Sequence, residues 1–171
     1  SRYVLFGLLA VGGVAFDLWT KYATFTALGY PNGRSEWTWA SPFGGWLQFR
    51  FHTTFNHGAL WGVGQGMTWL FALLSVVAVA GVILWLFVFK AARSAWLTTA
   101  LGFVLGGTLG NLYDRLGMHG CTDRLTGEPI YAVRDFMFAH LGTYPWPVFN
   151  FADVFLVTGA VMLVIQSLFF E

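Results

Sequence analysis

The sequence predicts a mainly α integral membrane protein, a bundle of four transmembrane helices with a β-element at the membrane surface. Three observations carry that reading. Of 171 residues, 57% are hydrophobic and only 10% charged, against roughly 45–50% and 25% in ordinary soluble domains. Four uncharged or nearly uncharged runs are each long enough to cross roughly 30 Å of hydrocarbon at 1.5 Å per residue. One further stretch alternates apolar and polar residues with the period of a strand. The length suits a single domain, here the whole span 1–171. A net charge of +1 offers no basic stripe, so a nucleic-acid partner is excluded along with disorder and a solvated bundle. A single cysteine, Cys121, leaves no intrachain disulfide framework and no Cys-rich metal site.

The spans follow in order. Residues 3–20 are apolar except for Asp17, and residues 67–89 are free of charge and closed by Lys90 and Arg93. Residues 95–113 run uncharged up to Asp114 and Arg115, and 154–170 end beside Glu171. Arg2 ahead of the first apolar run resembles the start of a secretory signal, but no cleavage site follows and the Asp17–Lys21 pair fits one poorly. With Ser1 in place of Met and the sequence stopping just past the last span, trimmed tails are expected.

Two longer stretches lie outside the bilayer. In residues 46–52, Leu47, Phe49 and Phe51 alternate with Gln48, Arg50 and His52, which predicts a strand with one apolar face. With Trp37, Trp39 and Trp46 nearby, that face is expected at the lipid interface. Residues 114–147 are polar and turn-rich and read as a loop. Four spans put both stretches on one side and both termini on the other. Charge does not orient them: Arg2, Lys90 and Arg93 oppose six basic residues in the long stretches.

Connectivity brings the polar residues to one membrane face. Asp17 closes the first span, Asn111 and Asp114 the third, while Asn150 and Asp153 open the fourth; Asn56 precedes the second. An ionisable group deep in a span costs roughly 2.5–3.5 kcal/mol, so several at one depth call for a reason. Asn111/Asp114 and Asn150/Asp153 are i, i+3 pairs and are read as sharing a helix face. Gly102, Gly106 and Gly110 form a stripe that lets another helix approach. The bland reading of Asn111, Asn150 and Asp114 is interhelical glue, with Arg115 pairing to a carboxylate. For Asp135 with Asp153 a functional reading is preferred, because two carboxylates at close range can share a proton and serve as acid and base.

Other chemistries are thinner. There is no His-Glu-x-x-His motif, Gly-rich phosphate loop or Gly-x-Ser-x-Gly elbow. Ser75 lies mid-span without a base and reads as a back-bonded hydroxyl, and Cys121 as a non-catalytic thiol. His119 with Cys121 and Asp123 could form half a metal site, but no metal and no cofactor is expected.

The motifs resemble those of the bacterial lipoprotein signal peptidases (signal peptidase II), a family of membrane aspartyl proteases. Asp17-Leu-Trp-Thr-Lys21 is similar to the family's Asp-x-x-x-Lys, and Asn56-His-Gly58-Ala59 to its Asn-x-Gly-Ala. Residues 106–115 match Gly-Gly-x-x-Gly-Asn-x-x-Asp-Arg, residues 133–136 match Val-x-Asp-Phe, and residues 147–153 match Pro-x-Phe-Asn-x-Ala-Asp. The first two are weak singly; the last three in order are specific. The resemblance implies Asp135 and Asp153 as the catalytic pair. Asp17, Lys21, Asn56, Gly58, Asn111, Asp114, Arg115 and Asn150 would support the site or bind substrate. It implies a multi-pass protein of the bacterial cytoplasmic (inner) membrane with cytoplasmic termini and an exoplasmic site. Residues 37–66 would form an exoplasmic, interfacial β-cradle and 114–147 an exoplasmic loop. The substrate would be a prolipoprotein carrying a diacylglyceryl group on its cysteine, cut just before that cysteine. The partners would be that substrate and membrane lipids, with the chain a monomer.

Two departures stand out. Leu60-Trp61 replaces the usual Ala-Phe, so a pocket wall there is expected to differ, and residues 116–131, with His119, Cys121, Asp123 and Glu128, lengthen the gap between Asp114 and Asp135. The alternative function is a small non-enzymatic transporter or channel subunit using the polar cluster as a binding site. A polar stripe through the spans would favour it, yet polarity gathers at one end. An intramembrane protease of the Gly-x-Gly-Asp type lacks its motif here.

Overall fold

The computed structural model describes residues 1–42, 44–58, 64–90 and 94–169. Ala59, the Leu60-Trp61 departure, Arg93 and Phe170 lie outside the described residues. Four long helices and four strands follow one another: α1 (Arg2–Leu28), β1 (Trp39–Ala40), β2 (Leu47–Asn56), α2 (Thr68–Phe87), α3 (Ala95–Arg115), β3 (Val133–Leu141), β4 (Tyr144–Pro145) and α4 (Phe151–Phe169).

Three helices are long and apolar enough to cross a membrane: α1, α2 and α4, with mean hydropathies of 1.6, 2.7 and 1.9 over their best windows. Their outward residues, such as Leu8 and Val11 of α1, Leu73 and Val77 of α2 and Val157 and Val161 of α4, are large, apolar and exposed, as surfaces facing lipid must be. The fourth, α3, is less apolar because it has little outer surface to cover. It is the hub on which the other three pack, and eleven of its residues are buried. Phe6 and Ala10 of α1, Val82 and Leu86 of α2, and Leu101 and Leu105 of α3 form one continuous core.

Small residues make this close approach possible. The Gly102–Gly106 part of the predicted stripe faces α1, where a Cβ would meet Leu9 and the Ala10 carbonyl. Gly107, which the stripe did not include, faces α4, where a Cβ would collide with the Ala152 carbonyl and Leu156. Ser94 caps α3 by accepting from the Leu97 N–H at 3.0 Å. Ser75 donates back to the Phe71 carbonyl at 2.8 Å, the helix hydroxyl expected of it.

The helix boundaries differ from the predicted spans in an instructive way. Helix α1 runs eight residues beyond residue 20, carrying Lys21 inside the bundle, and α4 begins at Phe151, so Asp153 sits in its first turn.

The four strands form one antiparallel sheet in the order β1-β2-β3-β4. The predicted strand is present and longer, continuing through a bulge between Phe51 and Thr54 to Asn56. Its partner β3 lies within the stretch read as loop. The apolar face of β2 is not left to lipid. Phe49, Phe51 and Phe55 pack with Phe25, Phe136 and Met137 into an aromatic cluster, with Trp37 edge-on to Phe51 at 5.1 Å. Trp37, Trp39 and Trp46 do remain exposed.

Candidate active site

Four carboxylates, three amides and two cations meet where α1, α3, the start of α4 and the sheet join. Backbone register explains the meeting. β2 and β3 pair Thr54 with Asp135 and Asn56 with Val133, so Asn56 lies diagonal to Asp135 and its amide donates to that carboxylate at 3.1 Å. Asn150 is the N-cap of α4 and Asp153 its third residue. The Asp153 N–H donates to Asn150 Oδ1 at 3.0 Å while the Asn150 N–H donates to Asp153 Oδ2 at 3.1 Å. That is a reciprocal capping box. The pair therefore does not share a helix face, as its i, i+3 spacing had suggested; one member starts the helix.

Asn150 joins the two carboxylates. Its amide nitrogen donates to Asp135 Oδ1 at 2.6 Å and to Asn111 Oδ1 at 3.1 Å. Asn111 in turn donates to Asp153 Oδ1 at 2.9 Å. Both amides are almost fully buried and their oxygens and nitrogens are all engaged, which fixes the orientation of each carboxylate. Gly58, also buried, donates its N–H to Asn56 Oδ1 at 3.0 Å and holds that amide toward Asp135.

The other acids have a different environment. Lys21 is completely buried and places its ammonium 2.7 Å from Asp17, 3.2 Å from Asp114 and 3.0 Å from Asn111 Oδ1. All three donors of an ammonium are thereby used. Asp17 also accepts from the Ala152 N–H at 2.8 Å, tying α1 to α4. Asp114 accepts from the Arg134 backbone at 2.9 Å and from its guanidinium at 2.8 and 3.1 Å. Two acids and two bases thus balance within the cluster.

Among the described residues Arg115 forms no ion pair, although the carboxylates of Asp153, Asp135 and Asp114 act on its charge. Its guanidinium lies over the Phe71 ring at 5.6 Å, and Arg134, one residue before Asp135 in the sequence, is the cation that holds Asp114. The sequence reading passed over Arg134; its place between Val133 and Asp135 in a matching motif was the available signal.

The acids therefore divide into two kinds. Asp17 and Asp114 have cationic partners; among the described residues Asp135 and Asp153 have amide and backbone donors and no salt bridge. Asp135 is 2% exposed. Burial, reinforced by the nearby Asp153 carboxylate, pushes its carboxyl well above the usual carboxylate range. Asp153 is half-buried and so reachable. A groove of about 240 Å³ between α2 and α4, lined by Phe71, Leu74, Ala78 and Leu156, ends at Asn111 and Arg115.

The His119–Cys121 feature is local architecture. His119 Nδ1 accepts from the Cys121 N–H at 2.9 Å, and Nε2 lies 3.3 Å from the Ala132 carbonyl, which engages both ring nitrogens. Among the described residues no group of three His, Cys, Asp or Glu side chains is arranged to hold a metal. Cys121 is a buried free thiol.

A family model described as signal peptidase (SPase) II matches residues 9–169. A lipoprotein signal peptidase of Rhodopirellula baltica is 47% identical over 174 residues, covering 98% of this chain and 73% of the relative. One from Geobacillus thermodenitrificans is 35% identical and covers 99% and 92%. Two bacterial membrane enzymes solved by the in meso method have similar structures, each with a TM-score of 0.71. At 27% and 26% identity they cover 96% and 98% of this chain, and 87% and 94% of their own.

Proposed function

The chain belongs to the signal peptidase II family and is a protease of that family, and from that premise we propose that Asp135 and Asp153 are its catalytic pair. Family membership also sets aside the transporter reading. The observation that carries the proposal is the division of the acids: Asp17 and Asp114 are in ion pairs with Lys21 and Arg134, whereas Asp135 and Asp153 are joined by Asn150 and, among the described residues, form no ion pair.

The pair holds one proton, carried on Asp135, where burial opposes charge. Asp153 takes a proton from water as that water attacks the scissile carbonyl. Asp135 gives its proton to the carbonyl oxygen, which forms a tetrahedral diol. The proton gained by Asp153 passes to the amide nitrogen as the carbon–nitrogen bond breaks, and one diol hydroxyl returns a proton to Asp135, leaving acid, amine and a pair that again holds one proton. Asn56, Asn111 and Asn150 keep both carboxylates oriented throughout, with Gly58 behind Asn56; Asp17, Lys21 and Asp114 brace the helices that carry them. Arg115 borders the groove through which apolar substrate reaches the pair.

The substrate is a prolipoprotein with a diacylglyceryl-modified cysteine, cut just before that cysteine. Helix α3 is the fourth crossing, and the whole chain is one domain working as a monomer among membrane lipids. The sheet and the loop between α3 and α4 lie on the exoplasmic side of the bacterial inner membrane and the termini in the cytoplasm. Two carboxylates can activate water unaided, so turnover is expected to survive a chelator; loss restored by zinc would overturn that.

Purified Asp135→Asn and Asp153→Asn are each expected to lose cleavage of a diacylglyceryl-modified prolipoprotein by more than about a thousandfold while remaining folded. Melting temperature separates this from structural damage. A carboxyl raised in the folded state favours folding less as pH climbs above its ordinary value of 3.8. Asp135→Asn should therefore melt at or above the parent at neutral pH, with the difference vanishing in acid. Near-normal turnover in either variant sinks the assignment.

A further inference from the structure

The loop 116–131 is built rather than loose. Thr122 bridges to Pro129, the Asp123 N–H donates to the Glu128 carbonyl at 2.8 Å and the Ile130 N–H to the Cys121 carbonyl at 3.0 Å. Asp123 Oδ1 accepts from the N–H groups of Leu125 and Thr126 at 2.8 and 2.9 Å, closing the turn. The hairpin is docked at both ends. Arg124 lies over the Tyr30 ring at 5.2 Å, behind α1, and Tyr131 packs on Trp69 of α2 at 5.4 Å.

Between hairpin, β2 and the start of α2 is a cavity of about 660 Å³, within the roughly 300–1,000 Å³ typical of ligand sites. Its lining is mixed: polar groups of Asn32, Thr54, His57, Thr68, Asp123 and Arg124 face it together with apolar surface that includes Phe55, Trp69, Ile130 and Tyr131. It adjoins the active site through one residue. His57 lines the cavity; Asn56 before it donates to Asp135, and Gly58 after it donates to Asn56. Thr68 pins this segment by donating to the His57 carbonyl at 3.1 Å.

Two depressions thus come up to the polar cluster, one beside Asn56 and one at Asn111, and they differ in chemistry. The groove between α2 and α4 is walled by Phe71, Leu74, Ala78 and Leu156 and lies among membrane-crossing helices. The hairpin cavity is the more polar of the two and is lined by the hairpin, the sheet and the start of α2. The substrate has the same division: apolar signal segment and acyl chains before and at the cleavage point, polar mature chain after it. We propose that the hairpin cavity binds the mature polypeptide just after the lipidated cysteine, as an extended polar segment. This rests on the peptidase reading above. The mixed charge of Asp123, Glu128 and Arg124 favours polar, charge-balanced segments over strongly acidic or basic ones.

The test uses lipidated substrates with a benzophenone side chain placed either after or before the modified cysteine, bound to full-length Asp135→Asn protein in detergent. Irradiation is expected to join the later positions to residues 122–131 or Trp69, and the earlier ones elsewhere. Capture of residues 122–131 only from positions before the cysteine, or from neither, would overturn the proposal. Kinetics give a second reading. For the double variant Arg124→Ala/Tyr131→Ala, which leaves the hairpin's backbone bonds in place, KM should rise about fivefold or more for a substrate extending roughly six residues past the cysteine. It should stay unchanged for one ending beside the cysteine. Equal effects on both substrates would also overturn it. Failure of the peptidase reading is distinct: unaltered protein would then cleave neither substrate.

Discussion

At the scale of single residues, the buried Lys21 ties the polar cluster together. Its ammonium neutralises Asp17 and Asp114 and is linked by hydrogen bonds to the proposed catalytic pair through Asn111. Lys21→Met keeps the side chain's length but leaves Asp17 buried without its cation and Asp114 with Arg134 alone, and breaking a buried pair this way costs roughly 3–5 kcal/mol. The expected outcome is a large fall in melting temperature in detergent, with turnover per folded molecule reduced far less than in Asp135→Asn. A variant that melts like the parent would show that the lysine is not needed to hold these acids. Lys21 and Asp17 were legible in the sequence because four residues apart on a helix is contact distance. The Asp114 partner was not. Adjacency along the chain suggested Arg115, but consecutive helical residues point about 100° apart, and the cation that arrives comes from β3, at a separation no local pattern encodes.

At the scale of elements, close packing of α3 depends on glycines that face different neighbours. A Cβ at Gly107 would enter the Ala152 backbone of α4, and one at Gly110 would stand 2.5 Å from an Asp17 oxygen, whereas Gly12 and Gly81 have nothing within 4 Å. Gly107→Ala should therefore push α4 away and carry Asn150 and Asp153 with it, lowering both melting temperature and turnover. Gly12→Ala and Gly81→Ala should leave both within error, because open space admits a methyl and alanine is the better helix former by roughly 1 kcal/mol. Equal losses in all three would mean that general helix perturbation is at work. The helices were legible as long uncharged runs, and β2 through its alternation. β3 was hidden for a physical reason: Val133 to Met137 are buried without a break, so the strand has no wet face and no period of two. The stripe at Gly102, Gly106 and Gly110 showed that α3 would be approached closely, but a four-residue repeat follows one face only and passes over Gly107 on the other.

At the scale of the whole molecule, the arrangement of helices determines what can reach the proposed catalytic pair. Helices α2 and α4 both pack on α3, and the groove between them leads from the apolar outer surface to Asn111 and Arg115. Polar residues of the site lie at the end of that groove, so a substrate must bring apolar groups to a buried carboxylate pair. Peptide alone supplies few at the cleavage point; acyl chains on the cysteine supply many. Burying even about four methylenes there contributes ~3 kcal/mol, which corresponds to roughly a hundredfold in binding. The protein is therefore expected to cleave a diacylglyceryl-modified prolipoprotein with kcat/KM at least about a hundredfold above that for the same polypeptide with an unmodified cysteine. Substitution of Leu74 or Leu156 by Gln, which places an amide in the groove wall, should narrow that ratio by slowing the lipidated substrate alone. Both measurements need detergent well below the amount that competes for the acyl chains. Equal cleavage of lipidated and bare polypeptide would show that the groove does not read the lipid, and that selection among substrates rests on the polypeptide.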